Sequence, residues 1–388
     1  MDFRVETQIP FGNACDLELT SLRDTLMVAF AADPHGGPET LWFCFRLVAL
    51  TTAAQTSVRS IRLVLKHACN MLGGQDPFTI RPVVRYDDGA WRRLDAGDLV
   101  PLPDGRTHVT WEVDAPQRTL DVAFCYPYGM DDVRALVAET DGYWHMDTIG
   151  VSQHARPLVR LSNDYGHEGD DRPGLYLIAR QHSGETPGSW VLDGFLRYLA
   201  TLGDQAPLVW AVPLANIDGV EEGDYGKDNF PYDLNRAWGR PPMRHEISVY
   251  QRDMARWRNR CRPVLGIDFH APGATERSGV YAYLPDPGTD RAAYDAVLPW
   301  AEWTSAALSP RFAATDFARV PRYSSRWETP SFRLHGWTRL GIACITYEMP
   351  YALAGELVLT QEHYREIGRR IAQGVLEGLE HYQHQRGA

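Results

Sequence analysis

The chain has 388 residues, of which 44% are hydrophobic, 11% aromatic and 23% charged, a composition that excludes disorder and fibrous repeats. Its 39 basic and 50 acidic residues leave a formal net charge of −11, which argues against nucleic acid or an anionic membrane as the main partner. The length exceeds that of a usual single core and predicts two domains.

Residues 1–10 carry Asp2, Arg4 and Glu6, with no apolar stretch suited to a signal peptide, and no later run reaches spanning length. The expectation is a cytoplasmic protein. Cys15, Cys44, Cys69, Cys125, Cys261 and Cys344 are scattered, several within apolar stretches such as LWFCFRL and DVAFCYPY, and read as buried reduced thiols rather than a disulfide frame or a CxxC metal site.

From the start to about Tyr128, short apolar or alternating stretches are separated by turn-forming residues. LMVAFAA (26–32), LWFCFRLVAL (41–50), SIRLVLK (60–66), TIRPVVRYDDGAW (79–91), THVTWEV (107–113) and TLDVAFCYP (119–127) read as strands. Asp-Gly pairs at 88–89 and 104–105 are hairpin signals. This part, residues 1–130, is expected to be an all-β sandwich. MDDVRALVAE (130–139) reads as a connecting helix.

Beyond it, strands alternate with longer helical segments. LYLIA (175–179), LVWAVPLAN (208–216), VLGIDF (264–269), GVYAYL (279–284) and IACITYEM (342–349) are near-continuous apolar strands. Between the first two, Val191, Leu192, Phe195, Leu196 and Leu199 share a helical face, with Thr186 as expected cap and Pro187 at the first helical position. A last helix covers about 360–381, with Tyr364, Ile367, Ile371, Val375 and Leu379 on one face. Residues 131–388 are thus expected to form an α/β domain, a mixed and mostly parallel sheet with helices on both faces.

His182-Ser183-Gly184-Glu185 lies directly after a strand and before a helix. A His-x-x-Glu recurs by chance at His363/Glu366, inside the last helix, where it reads as surface chemistry. Position separates the two, because open α/β sheets bind ligands outside the carboxyl ends of their strands. His270 ends the strand GIDFH on the same expected rim. Two imidazoles and one carboxylate make the ligand set of an open catalytic zinc; the plain alternative for His270 is a hydrogen-bonded core histidine. Asp233-Leu234-Asn235-Arg236 offers Asn and Arg as a donor fork for a carboxylate, or else a helix cap followed by a salt-bridging arginine. Glu348, ending ITYEM, is a carboxylate in an apolar setting where burial raises proton affinity toward that of a general base.

Taken together, ARQHSGETPGSWVLDGFL, VPLANIDGVEEG followed by DLNRAW, DFH and TYEMPY resemble the zinc carboxypeptidase superfamily, in its cytosolic carboxypeptidase-like branch, over roughly 170–352. The first half looks like that branch's β-sandwich through WFCFRL, RPVVRYDDGAW and AFCYPYG. The resemblance implies one zinc ion per chain held by His182, Glu185 and His270. It implies Glu348 as the base that activates water and then protonates the departing amine, and Asn235 and Arg236 as the grip on a substrate's terminal carboxylate. Asp233 would accept a hydrogen bond from a ligating histidine.

One position departs. Where family members commonly read GNYR ahead of DLNR, this chain reads Gly223-Asp224-Tyr225-Gly226, so the oxyanion-stabilising arginine is replaced by Gly226, and Lys227, next along the chain, is the candidate substitute. DFHAP also differs from the more usual DLHGH-like stretch. Three functions remain open: a metallocarboxypeptidase acting on the C-terminus of a peptide or protein, a zinc amidase or deacylase acting on N-acyl amino acids or cell-wall-type peptides, and a catalytically silent binding protein of the same fold. Arg277, Tyr323, Arg326 and Arg333 are candidate liners of the side-chain pocket.

Overall fold

Alternating apolar residues in the first third of the chain build two five-stranded sheets. The computed structural model describes residues 2–51, 56–229, 231–323, 327 and 329–387, with side chains described as far as 382. One sheet runs Phe3–Glu6, Cys44–Ala49, Thr119–Ala123, Val83–Tyr86, Arg92–Arg93, and the other Cys15–Leu22, Thr25–Ala31, Ser60–Leu65, Thr107–Asp114, Asp98–Pro101. In Thr107–Asp114, Val109, Trp111 and Val113 are buried while Glu112 and Asp114 face water, the period of two expected of a strand covered on one face. The sheets pack face to face through Phe30 and Phe45, whose ring centroids are 4.7 Å apart.

Both Asp-Gly pairs lie between antiparallel strands, Val83–Tyr86 with Arg92–Arg93 and Asp98–Pro101 with Thr107–Asp114. Cys15–Leu22 was not anticipated. Its sequence CDLELTSL is mostly exposed, because it is an edge strand held by pairing with Thr25–Ala31 rather than by burial. Cys44, Cys125, Cys261 and Cys344 are buried, but Cys69 is exposed.

Helix α1 (Met130–Glu139) leads into an eight-stranded sheet. Its strands are β1 (His145–Val151), β2 (Pro157–Ser162), β3 (Pro173–Ala179), β4 (Leu208–Val212), β5 (Arg262–His270), β6 (Val280–Tyr283), β7 (Ala313–Arg319) and β8 (Ala343–Glu348). Their spatial order is β1-β2-β4-β3-β5-β8-β6-β7. The central strands β4, β3, β5 and β8 are mutually parallel, while β1, β2 and β6 make antiparallel pairings, so the sheet is mixed as expected. The β1–β2 hairpin escaped the pattern because HMDTIGV is largely exposed.

The longer helices are α2 (Thr186–Ala200), α3 (His245–Arg258), α4 (Arg291–Leu308) and α5 (Gln361–Gly387). They cover both faces. Phe195 of α2 packs on Phe269, whose side chain shares a face with Leu177 and Ala179, whereas Trp257 of α3 packs on Tyr176, which points the other way. One local expectation is corrected. Thr186 is the first helical residue and not the cap; its buried Oγ1 has no hydrogen-bond partner among the described residues, and Glu185 occupies the capping position with its carboxylate turned elsewhere. Among the described residues no helix is long and apolar enough to cross a membrane.

Candidate metal centre

The carboxyl ends of β3, β5 and β8 lie side by side, and the predicted residues sit on that rim. After Ala179 the chain turns sharply at Arg180, which holds a left-handed φ of 62°. Its buried guanidinium fixes the turn by donating to the carbonyls of Ser183 (2.7 Å) and Tyr128 (3.0 Å). Gly188 lets α2 approach the end of β5, since a Cβ there would lie 2.6 Å from the Phe269 carbonyl oxygen. The 182–185 turn is thereby pressed against His270.

His182 Nδ1 lies 2.9 Å from Glu185 Oε1, and His270 Nδ1 lies 2.7 Å from Glu185 Oε2. The imidazole centroids are 4.8 Å apart, and all three side chains are buried. One donor atom from each falls within 4.8 Å of the others, a spacing that a single ion bridges. The far nitrogens face carboxylates. His182 Nε2 is 3.3 Å from Asp233 Oδ1, and His270 Nε2 is 2.8 Å from Asp268 Oδ2. A carboxylate behind each ring favours the proton on Nε2 and leaves the Nδ1 lone pair toward the centre.

The electrostatics fit a divalent cation. Burial works to raise the Glu185 carboxyl, but the charges of His182 and His270 prevail and hold it well below the usual range. Burial works against protonating His182, yet Glu185 and Asp233 push it up to about 9; Asp268 and Glu185 raise His270 likewise. Glu185, Asp233, Asp268 and Glu348 concentrate buried negative charge around two imidazoles, and a divalent ion answers that field.

Glu348 ends β8 in register with His270 on β5 and opposite Tyr281 on β6. Burial is the main cause that raises its carboxyl well above the ordinary range, and its Oε2 has no hydrogen-bond partner among the described residues. It is a carboxyl kept beside the histidines with one oxygen uncommitted.

Asp233 caps the one-turn segment Leu234–Arg236 by accepting from the Asn235 amide, 2.8 Å, while its other oxygen accepts from Asp228 N. Asn235 departs from the expected carboxylate fork. Its Nδ2 donates to Asp268 Oδ2 (3.1 Å) and lies 2.9 Å from His270 Nε2, and its Oδ1 accepts from Phe332 N (3.0 Å). Both ends of this amide are thus engaged, Nδ2 at the His270–Asp268 pair and Oδ1 at the Phe332 backbone. Arg236 Nη1 donates to the Asn235 carbonyl, and its charge reaches Asp233.

Gly226 has a physical reason. With φ at +85°, a Cβ would come 2.5 Å from Ser183 Oγ and 2.6 Å from Ser183 N, so no side chain fits at the position where the sequence resemblance leads one to expect arginine. Burial works against the charge on Lys227, but Glu185, Glu348 and Glu39 outweigh it and hold its ammonium above the usual lysine value. Its charge therefore lies in the field of the centre.

Asp268 and Arg180 were not anticipated. Asp268 had a legible signal: two residues before His270 in a strand, it shares that residue's face. Of the pocket candidates, Arg277 is exposed, and Tyr323 is 56% exposed with its ring 6.0 Å from Tyr283. Arg326 lies outside the described residues. Arg333 is drawn inward: burial lowers its proton affinity, and it feels Tyr323, Cys344, Arg236 and Asp268. The chance His363/Glu366 pair is tied up locally, His363 with Arg311 and Glu366 with Arg369 and Arg370.

No family model matches the chain. Mouse cytosolic carboxypeptidase 1 is 28% identical over 203 residues, covering 45% of this chain and 16% of its own length. Mouse cytosolic carboxypeptidase 6 is 31% identical over 175 residues, 40% of this chain and 32% of its own length. The match thus spans a minor part of these relatives. Among solved structures, a metallo-carboxypeptidase from Burkholderia cenocepacia aligns with a TM-score of 0.75 at 17% identity, covering 98% of this chain and 100% of its own. One from Pseudomonas aeruginosa, in complex with (2-guanidinoethylmercapto)succinic acid, aligns at 0.72 and 18%, over 97% of this chain and 99% of its own. The chain therefore has the fold of these metallo-carboxypeptidases and, over less than half of its length, is similar in sequence to cytosolic carboxypeptidases.

Proposed function

We propose that the chain is a zinc-dependent metallocarboxypeptidase, with His182, Glu185 and His270 as ligands of one zinc ion and Glu348 as the base. The observation that carries this reading is the convergence of two carboxylate-backed Nδ1 atoms and Glu185 beside the uncommitted Glu348 oxygen. The substrate is the C-terminus of a peptide or protein.

A bound zinc ion lowers the pKa of water and polarises a carbonyl, so no nucleophilic side chain is required. Glu348 accepts a proton from the attacking water as its oxygen bonds to the scissile carbonyl carbon. The same carboxyl then delivers that proton to the amine nitrogen as the C–N bond breaks, releasing one amino acid and a shortened peptide. Lys227 faces the charge that develops on the carbonyl oxygen, in place of the arginine excluded at 226. Arg236 takes the terminal carboxylate, while Asn235 and Asp268 hold His270.

Arg333, within electrostatic reach of Arg236 and Asp268, would add positive charge on the substrate side and so favour an acidic C-terminal residue. The test is a peptide series differing only in its last residue, free or amidated at the C-terminus, assayed with and without chelator. Release of the last residue from free but not amidated peptides supports the proposal; cleavage restricted to N-acyl amino acids overturns it.

A further inference from the structure

The segment 223–229, which carries Gly226 and Lys227, contains no helix or strand beyond its first residue's role in ending the turn of helix Ile217–Glu222, so its path must be fixed from outside. One side is stapled to the metal turn. Ser183 Oγ donates to the Asp224 carbonyl (2.9 Å) and Gly184 N to the Tyr225 carbonyl (2.8 Å).

The other side is held by the N-terminal β-sheets. Asn13, buried at 1% exposure, donates from Nδ2 to the Gly223 carbonyl (2.8 Å) and to the Asp33 carbonyl (3.0 Å), and its Oδ1 accepts from Asp33 N (2.8 Å). His35 Nδ1 lies 3.0 Å from Asp224 Oδ1, and His35 N is bound to Asp33 Oδ1. Asp224 Oδ2 accepts from Asn229 Nδ2 (3.4 Å) at the far end of the segment. The fit is close: a Cβ on Gly223 would lie 2.2 Å from the Gly12 carbonyl oxygen, and one on Gly37 would lie 2.0 Å from Asn229 Oδ1.

We infer that Asn13 and His35 are positioning residues for hydrolysis, through which the N-terminal domain sets the path of residues 223–229 and so the place of Lys227. This rests on the reading of Lys227 as the cation that meets the developing oxyanion. A lysine is a flexible point charge without the planar fork of arginine, so its effect depends on how well its backbone is anchored. The replacement of arginine by Gly226-Lys227 and the clamp from the first domain belong to one arrangement.

The experiment is a double-mutant cycle in the full chain, with Asn13→Ala and His35→Ala each made alone and on Lys227→Ala, reading kcat, KM, zinc content and melting temperature. His35 lies at the surface, so His35→Ala carries the test should Asn13→Ala fail to fold. Each anchor change alone is expected to lower kcat about 10- to 100-fold, with zinc content and KM close to the parent. On the Lys227→Ala background the same change is expected to cost no further activity. Equal losses in both backgrounds, or loss of zinc from the anchor variants, would overturn the inference and leave a structural role alone. Unchanged turnover in Lys227→Ala by itself would instead remove the reading of Lys227 on which the inference stands.

Discussion

Gly226→Arg introduces the residue that the sequence resemblance leads one to expect there, and it should harm this protein. The added Cβ meets Ser183 Oγ at 2.5 Å and Ser183 N at 2.6 Å, and one of these is backbone. A non-glycine residue at φ +85° adds strain of roughly 1–3 kcal/mol. Overpacking against the 182–185 turn adds roughly another 1–3 kcal/mol, for a total of about 2–6 kcal/mol. Extending the size dependence of thermal unfolding to a chain of this length, about 1–2 °C per kcal/mol, that is a fall of roughly 2–12 °C in Tm. Relief by moving the 223–226 segment outward breaks its bonds to Ser183 and Gly184 and disturbs the turn that carries His182 and Glu185. Calorimetry and peptide turnover on Gly226→Arg, with Gly226→Ala as the control for backbone strain, read both effects. A Gly226→Arg protein that melts with the parent and turns over faster would refute the steric argument.

Lys227→Ala should retain zinc and lower kcat by about 10²- to 10³-fold, measured by steady-state kinetics on a free C-terminal peptide. Asp268→Ala should weaken zinc affinity by about 10- to 100-fold in a chelator competition, because the imidazole of His270 loses the carboxylate that orients it. The hydrogen bond to Asp224 is the main cause that raises His35, with Asp33 and Glu222 adding to it against partial burial. A folded-state value above the unfolded one contributes stability that is complete below the ordinary histidine pKa and is lost as pH rises through the raised value. Melting temperature should therefore fall across that window in the parent, and Asp224→Asn should flatten the fall; identical pH profiles would contradict the pairing. Arg333→Ala should reduce the preference for an acidic last residue, read as the ratio of kcat/KM on glutamate- and alanine-ended peptides.

Apolar runs exposed most of the architecture to reading. LYLIA, VLGIDF and IACITYEM lie in the central parallel strands, where burial on both faces forces continuous hydrophobicity. Cys15–Leu22 and His145–Val151 were hidden because backbone pairing, not side-chain burial, holds them, and that leaves no periodic trace. The convergence of His182, Glu185, His270 and Glu348 on one rim was legible because strand ends restrict where ligands collect. Asn235 reads in the sequence as a substrate donor from its type and neighbours; that Phe332 N and Asp268 also engage its amide is visible only in the fold. The glycine at 226 looked like a loss. Its meaning depends on a contact with Ser183, more than forty residues away, that no local pattern encodes.

Zinc per chain, measured by elemental analysis on the parent, His270→Ala and Glu348→Gln after zinc loading and exhaustive dialysis, tests the centre most directly. The account predicts one ion in the parent and in Glu348→Gln, with Glu348→Gln devoid of turnover, and no retained ion in His270→Ala. Retention of zinc by His270→Ala, or its absence from the loaded parent, would contradict it.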